Sequence, residues 1–160
     1  MDFKQVEGNL LEAAEQYICH QCNMLTDHAA GTAKLIFDRF PYADIYKDRD
    51  CPHIPTMEEQ LGNILIRGDG KDQRFVINMM AQFYPGKPKY PNSSKDGTLV
   101  RLNAFKQCLD KIALLPDLQS VAFPYKIGCN LAGGNWDTYY NMIEQFADKV
   151  QIPVRIYKNS

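Results

Sequence analysis

From Ser120 to Val150 the chain reads as an apolar strand, a glycine-rich loop and a helix in direct succession. The strand is Ser120-Val-Ala-Phe123, the loop carries Gly128, Gly133 and Gly134, and the helix spans Trp136 to Val150. Glycine admits positive φ and lets backbone approach a ligand closely. The first N–H groups of a helix are unsatisfied and favour an anion. A glycine-rich passage from strand to helix is therefore suited to cradle phosphate, although many such loops owe their glycines to turns alone.

The rest of the chain repeats this alternation. Phe3 to Val6 is a short strand, ended by Glu7-Gly8-Asn9, and Leu10 to Gln16 is compatible with a short helix. Tyr17 to Cys22 is a second strand, Asn23 to Ala30 a loop, and Gly31 to Phe40 a helix with Ala33, Ile36, Phe37 and Phe40 at helical spacing. Pro41 stops it, and Tyr42 to Asp50 has room for one more helical turn. Leu61 to Arg67 and Phe75 to Ala81 form a hairpin across the turn Gly68–Asp72. Phe83 to Gly97, with Pro85, Gly86, Pro88 and Pro91, is a long surface loop of the kind that covers binding sites. Thr98 to Leu115 is the longest helix, with Leu99, Leu102, Phe105, Leu109 and Ile112 on one face. Val154-Arg-Ile-Tyr157 is the last strand. Such an order predicts a layered α/β domain with a mixed sheet, one unit over residues 1–160. Ligands of such sheets bind beyond the carboxyl ends of the strands, where the loops Asn23–Gly31 and Gly128–Asn135 converge.

Composition narrows the function classes. The chain has 160 residues, a net charge of −1 and scattered Lys and Arg, which leaves no electrostatic footprint for nucleic acid or an anionic membrane. No apolar run is long enough to span a bilayer, and Met1-Asp-Phe-Lys-Gln is no signal-peptide start, so the cytoplasm is the expected location. The five cysteines, an odd number, read as reduced thiols. Cys19 and Cys22 lie three apart on a strand and face opposite sides, so they do not share a metal. No metal and no cofactor is expected.

Three segments together carry a resemblance: Gly8-Asn9-Leu10; His20-Gln-Cys-Asn23 leading to Ala29-Ala-Gly-Thr-Ala33; and Ile127-Gly-Cys-Asn-Leu-Ala-Gly-Gly134. Over nearly its whole length the chain resembles the macro-domain family of ADP-ribose binders. The nearest branch holds ADP-ribose-1″-phosphate phosphatases and terminal ADP-ribosyl-glutamate hydrolases, whose phosphatase side has a strand end like His20–Asn23 and a helix end like Arg39-Phe-Pro41. The resemblance implies a three-layer α/β/α sandwich. It implies that Asn9, with Leu10 beside it, stands where an Asp meets the adenine amino group, and that Tyr157 stacks on adenine. Asn23 would meet the distal ribose, and Ala29, Ala30 and Gly31 would wrap the diphosphate. Gly128, Cys129, Asn130, Leu131, Ala132 and Gly133 would form the second phosphate loop. The chain departs from the family pattern in the alanines at 29 and 30, in place of glycines. It also has Asn78-Met79-Met80 where the glutamate hydrolases place a nucleophilic lysine, and Ala132 where they place an aspartate.

Among groups that exchange protons, His20 is the foremost candidate catalyst, as base or phosphoryl acceptor. The alternative for His20 is a strand histidine satisfied by a carbonyl. Asp27 is either an orienting carboxylate or a helix-leading acid, and His28, Lys87 and Lys89 stand near enough in sequence to approach a phosphate. The expected function is binding of ADP-ribose with hydrolysis of the phosphomonoester of ADP-ribose-1″-phosphate. The alternative is a non-catalytic module that reads ADP-ribosylated protein or sequesters an ADP-ribose-type nucleotide.

Overall fold

A computed structural model describes residues 1–88 and 94–159; Lys89 and Pro91 lie outside them. Six strands form one sheet: β1 (Phe3–Glu7), β2 (Tyr17–Asn23), β3 (Ile64–Arg67), β4 (Phe75–Gln82), β5 (Val121–Pro124) and β6 (Val154–Lys158). Their order is β1-β6-β5-β2-β4-β3, and among the described residues only the β3–β4 pair is antiparallel. The helices are α1 (Gly31–Arg39), α2 (Thr98–Ala113) and α3 (Trp136–Val150). The sheet is mixed and helices cover both faces, as the α/β/α reading expects.

Strand alternation decides which helix each strand residue meets. Tyr17, Cys19, Ile77, Met79 and Phe123 face α2 and α3, where Phe105, Ile112, Ile143 and Phe146 pack on them. Ile18, Cys22, Val76 and Met80 face α1, against Ile36 and Phe37. Cys19 and Cys22 therefore sit in different cores. Ile18, Ile77 and Ile156 have no exposed surface. Each such side chain contributes about 1.5–3 kcal/mol by leaving water.

Several expectations are corrected. The segment after β1 forms only a 3₁₀ turn, Leu10–Glu12, because Asn9 folds its side chain onto Leu11 N and Ala13 turns away. The one further helical turn expected after Pro41 is a 3₁₀ turn, Pro41–Ala43, which begins at the proline itself. β3 starts at Ile64, because Gly62 takes φ +90° while bonding Met80 O from a turn. On α2 the apolar stripe is Ala104, Phe105, Cys108, Leu109 and Ile112. Leu99, assigned to that face, is 73% exposed, since the first turn of α2 lies beyond the sheet; Arg101 is buried there instead.

Candidate functional site

The parallel strands end on one side, and two joined cavities open there. The first, about 410 Å³, lies between the β2–α1 loop and the β5–α3 loop. The second, about 270 Å³, lies beside the β1 and β6 ends. Thr32, Leu35, Pro124 and Asn130 line both, so the two make one cleft.

The first cavity is floored by strand ends. His20, Gln21 and Asn23 reach it from β2, and Gln82 from β4. One wall is the start of α1: Ala30, Gly31, Thr32 and Ala33. Ala30 is the N-cap, in extended backbone, and no side chain caps the helix. Its first N–H groups are therefore left for an anion. Ala30 needs no glycine at that φ of −138°, whereas Gly31 at +58° does. Ala29 packs against the α1 core instead of lining the cavity. The opposite wall is Ile127 to Ala132. Gly133 lies behind it, where a Cβ would stand 2.6 Å from Lys87 Cγ.

The glycine loop differs from its reading in one respect. The end of α3 does not serve the cleft: Asn135 caps it, accepting Thr138 N–H at 3.2 Å. Gly128, at φ +76°, is required because a Cβ there would meet the Tyr139 ring at 2.6 Å. The requirement comes from the protein interior, not from a ligand.

Asn23 is buried, and its Oδ1 takes the N–H groups of Leu25 and Thr26 and the Thr26 hydroxyl. Its oxygen thus shapes the loop. His20 is 1% exposed. Asn78 Nδ2 donates to Ala43 O and Leu65 O, which turns Asn78 Oδ1 toward His20 Nε2 at 2.6 Å. That oxygen can only accept, so His20 Nε2 carries the proton. Burial, partly offset by Asn78, pushes the His20 pKa down from 6.5 to about 4. Its ring meets the Phe37 ring edge-on, and Cys22 Sγ lies 3.8 Å from Nδ1. His20 is thus a neutral imidazole satisfied by a side-chain amide. At the rim, His28 Nδ1 lies 2.9 Å from Asp27 Oδ1, a bond that holds the Asp27 carboxyl below its usual range. His28 lines the first cavity and Asp27 supports it from outside.

In the second cavity Asn9, Leu10 and Tyr157 come together, with Tyr125 and Lys158. The Tyr157 hydroxyl donates to Glu15 Oε1 at 2.6 Å.

Two buried arginines fasten the walls, and nothing in the sequence pattern singled them out. Arg49 is paired with Glu59, stacks over Tyr46 at 4.4 Å, and donates to Asn23 O and Thr26 O. Tyr46 accepts Asn23 N–H on its hydroxyl at 2.8 Å. Arg101 is paired with Asp96 at 2.6 Å and donates to Tyr84 O, Gly86 O and Ala132 O. Gln21 and Gln82, bonded at 2.7 Å, also escaped the motif reading. Two amides at the ends of apolar strands were the available signal.

Among the described residues no three His, Cys, Asp or Glu side chains gather as a metal would need, and no helix is long and apolar enough to cross a membrane. No protein-family model and no curated protein matches the sequence. Solved structures do match. The macrodomain of Mycobacterium tuberculosis DarG aligns over 99% of this chain and 98% of its own, at 17% identity and a TM-score of 0.71. The chain has the macrodomain fold. Thermosipho africanus DarTG, solved in complex with ADP-ribose, carries this fold within a longer chain: 98% of this chain aligns with 41% of that one, at 19% identity and a TM-score of 0.69. A Bacteroides thetaiotaomicron protein of unknown function aligns over 98% of both chains, at 25% identity and a TM-score of 0.73.

Proposed function

We propose that the cleft binds ADP-ribose or a close derivative, free or attached to protein. The observation that carries this reading is the uncapped start of α1 inside a cleft of two joined cavities. A diphosphate fits between α1 and residues 128–132, the distal ribose lies near Asn23, and the nucleoside lies near Asn9, Leu10 and Tyr157. Charge on the diphosphate is met by backbone N–H groups and the α1 dipole, which suits a chain of net charge −1. The ADP-ribose complex of Thermosipho africanus DarTG, which has the same fold, supports the choice of ligand. Calorimetric titration with ADP-ribose tests it. Saturable binding is expected, and no heat or displacement at millimolar ligand overturns the proposal.

Hydrolysis of ADP-ribose-1″-phosphate is the second reading, favoured by the Asp27–His28 couple at the rim of the first cavity. If His20 carries the chemistry, His20→Ala lowers phosphate release at least about a hundredfold. If the rim couple carries it, His28→Ala and Asp27→Ala do so and His20→Ala does not. Binding without phosphate release from wild type leaves the non-catalytic module.

A further inference from the structure

The charged side chains of the cleft are unevenly placed. Among the described residues no lysine, arginine or carboxylate lines the first cavity, whereas Lys158 lines the second. A second ammonium joins it there. Lys158 Nζ stands over the Tyr125 ring at 4.8 Å from its centroid, and Lys126 Nζ stands over the same ring at 5.6 Å. Tyr125 is itself a lining residue of the second cavity. Its ring is set edge-on against Trp136 at 5.3 Å, and its N–H donates to Tyr157 O at 2.9 Å, so both lysines gather on a fixed support. Glu7 lies opposite Lys158 in the β1–β6 register, yet among the described residues no ion pair takes up either ammonium. Lys126 also sits at φ +59°, a conformation that strains a residue with a Cβ and that glycine takes freely. In a loop that places glycine at φ +76° two residues on, a lysine kept at such a position points to a use for its side chain. Two ammonium groups over one ring, neither neutralised by a carboxylate, attract an anion.

We infer that Lys126 and Lys158 form a subsite for a phosphoryl group on the adenosine ribose, so that the preferred ligand is ADP-ribose phosphorylated at its 2′ or 3′ hydroxyl. The inference rests on the cleft's binding ADP-ribose, as proposed above, and adds a substituent to that ligand. The diphosphate, placed against α1, is met by backbone N–H groups and does not need the lysines. The lysines stand at the nucleoside end instead. A ribose hydroxyl is the point from which a further phosphate branches without displacing either the base or the diphosphate. A phosphomonoester there carries up to two negative charges, which two ammonium groups match.

The test is titration of the whole chain with ADP-ribose and with its 2′- and 3′-phosphates, at low and at high salt. Two charge pairs near the surface give an expected preference of about tenfold for a phosphorylated ligand at low salt, and that preference should shrink as salt is added. Lys126→Gly removes one ammonium and suits the backbone at φ +59°, so it keeps the fold. That variant should lose about threefold in affinity for the phosphorylated ligand and less for ADP-ribose. Wild type that binds neither phosphate more tightly than ADP-ribose, or an undiminished preference in Lys126→Gly, overturns the subsite while leaving the cleft reading in place. Failure of all three ligands to bind overturns both.

Discussion

After β2 the chain enters α1 at Ala30 with no side chain folded onto the helix end; after β5 it enters α3 at Asn135, whose side chain closes the end itself. Both loops border the first cavity. The first brings an open helix dipole to it, and the second brings backbone shape from residues 127–132. Glycine content would rank them the other way, since the second loop holds three glycines and residues 23–30 hold none. Gly128 answers to Tyr139 and Gly133 to Lys87. A loop's glycines can therefore record its own packing, while the uncapped N–H groups that border the cavity belong to its neighbour.

The two loops are alike in how they are held, and breaking those holds gives the largest expected effects. Arg49→Met leaves Glu59 buried without its arginine, and Arg101→Met does the same to Asp96. Each should cost about 3–5 kcal/mol in urea unfolding. A cost under about 1 kcal/mol for either would show that its loop is held by something else.

The floor beneath both loops should respond to acid. His20 binds a proton only near pH 4 when folded, against 6.5 when exposed, so the unfolded chain takes up the proton first. Stability should be full above about pH 6.5 and fall by about 3 kcal/mol as pH drops to about 4. His20→Gln should remove that part of the pH dependence. An unchanged pH profile would place the acid sensitivity in other groups.

Glycine substitution separates the loops further. Gly128→Ala sets a Cβ against Tyr139 at φ +76°, and Gly31→Ala sets one against the mobile end of Leu131 at φ +58°. We expect losses of about 2 and about 1 kcal/mol respectively, by thermal unfolding. Equal losses would mean that φ alone matters.

The smallest effects sharpen the contrast between the helix ends. Ala30→Asp should stabilise α1 while lowering ADP-ribose affinity about tenfold, because its carboxylate occupies the anion position. Asn135→Ala should cost about 1 kcal/mol of stability and leave ADP-ribose affinity unaltered. If Asn135→Ala weakened binding as strongly as Ala30→Asp, the assignment of roles to the two ends would be reversed.

Much of the frame was readable from local pattern. Period-two alternation in Tyr17–Cys22 placed Cys19 and Cys22 on opposite faces, and the structure puts them there. Helical spacing located α1, because a stripe such as Ala33, Ile36 and Phe37 has only one way to bury itself. Leu99 failed because the same spacing cannot tell where the sheet beneath a helix ends. The helix expected over Leu10–Gln16 shrank to one 3₁₀ turn because a single side chain, Asn9, competed for its first N–H groups.

The order of strands and helices, and hence the layered α/β class, was set by residues near one another in sequence, because periodicity and glycine or proline breaks act over a few residues. The cleft was settled by tertiary structure. Arg101 meets Ala132, and Arg49 meets Asn23 and Thr26, across separations that no local pattern encodes. The state of His20 depends on Asn78, and the orientation of Asn78 on carbonyls from two further segments. A side chain's protonation and availability follow from what the fold brings beside it, since burial and hydrogen bonding are properties of the assembled core.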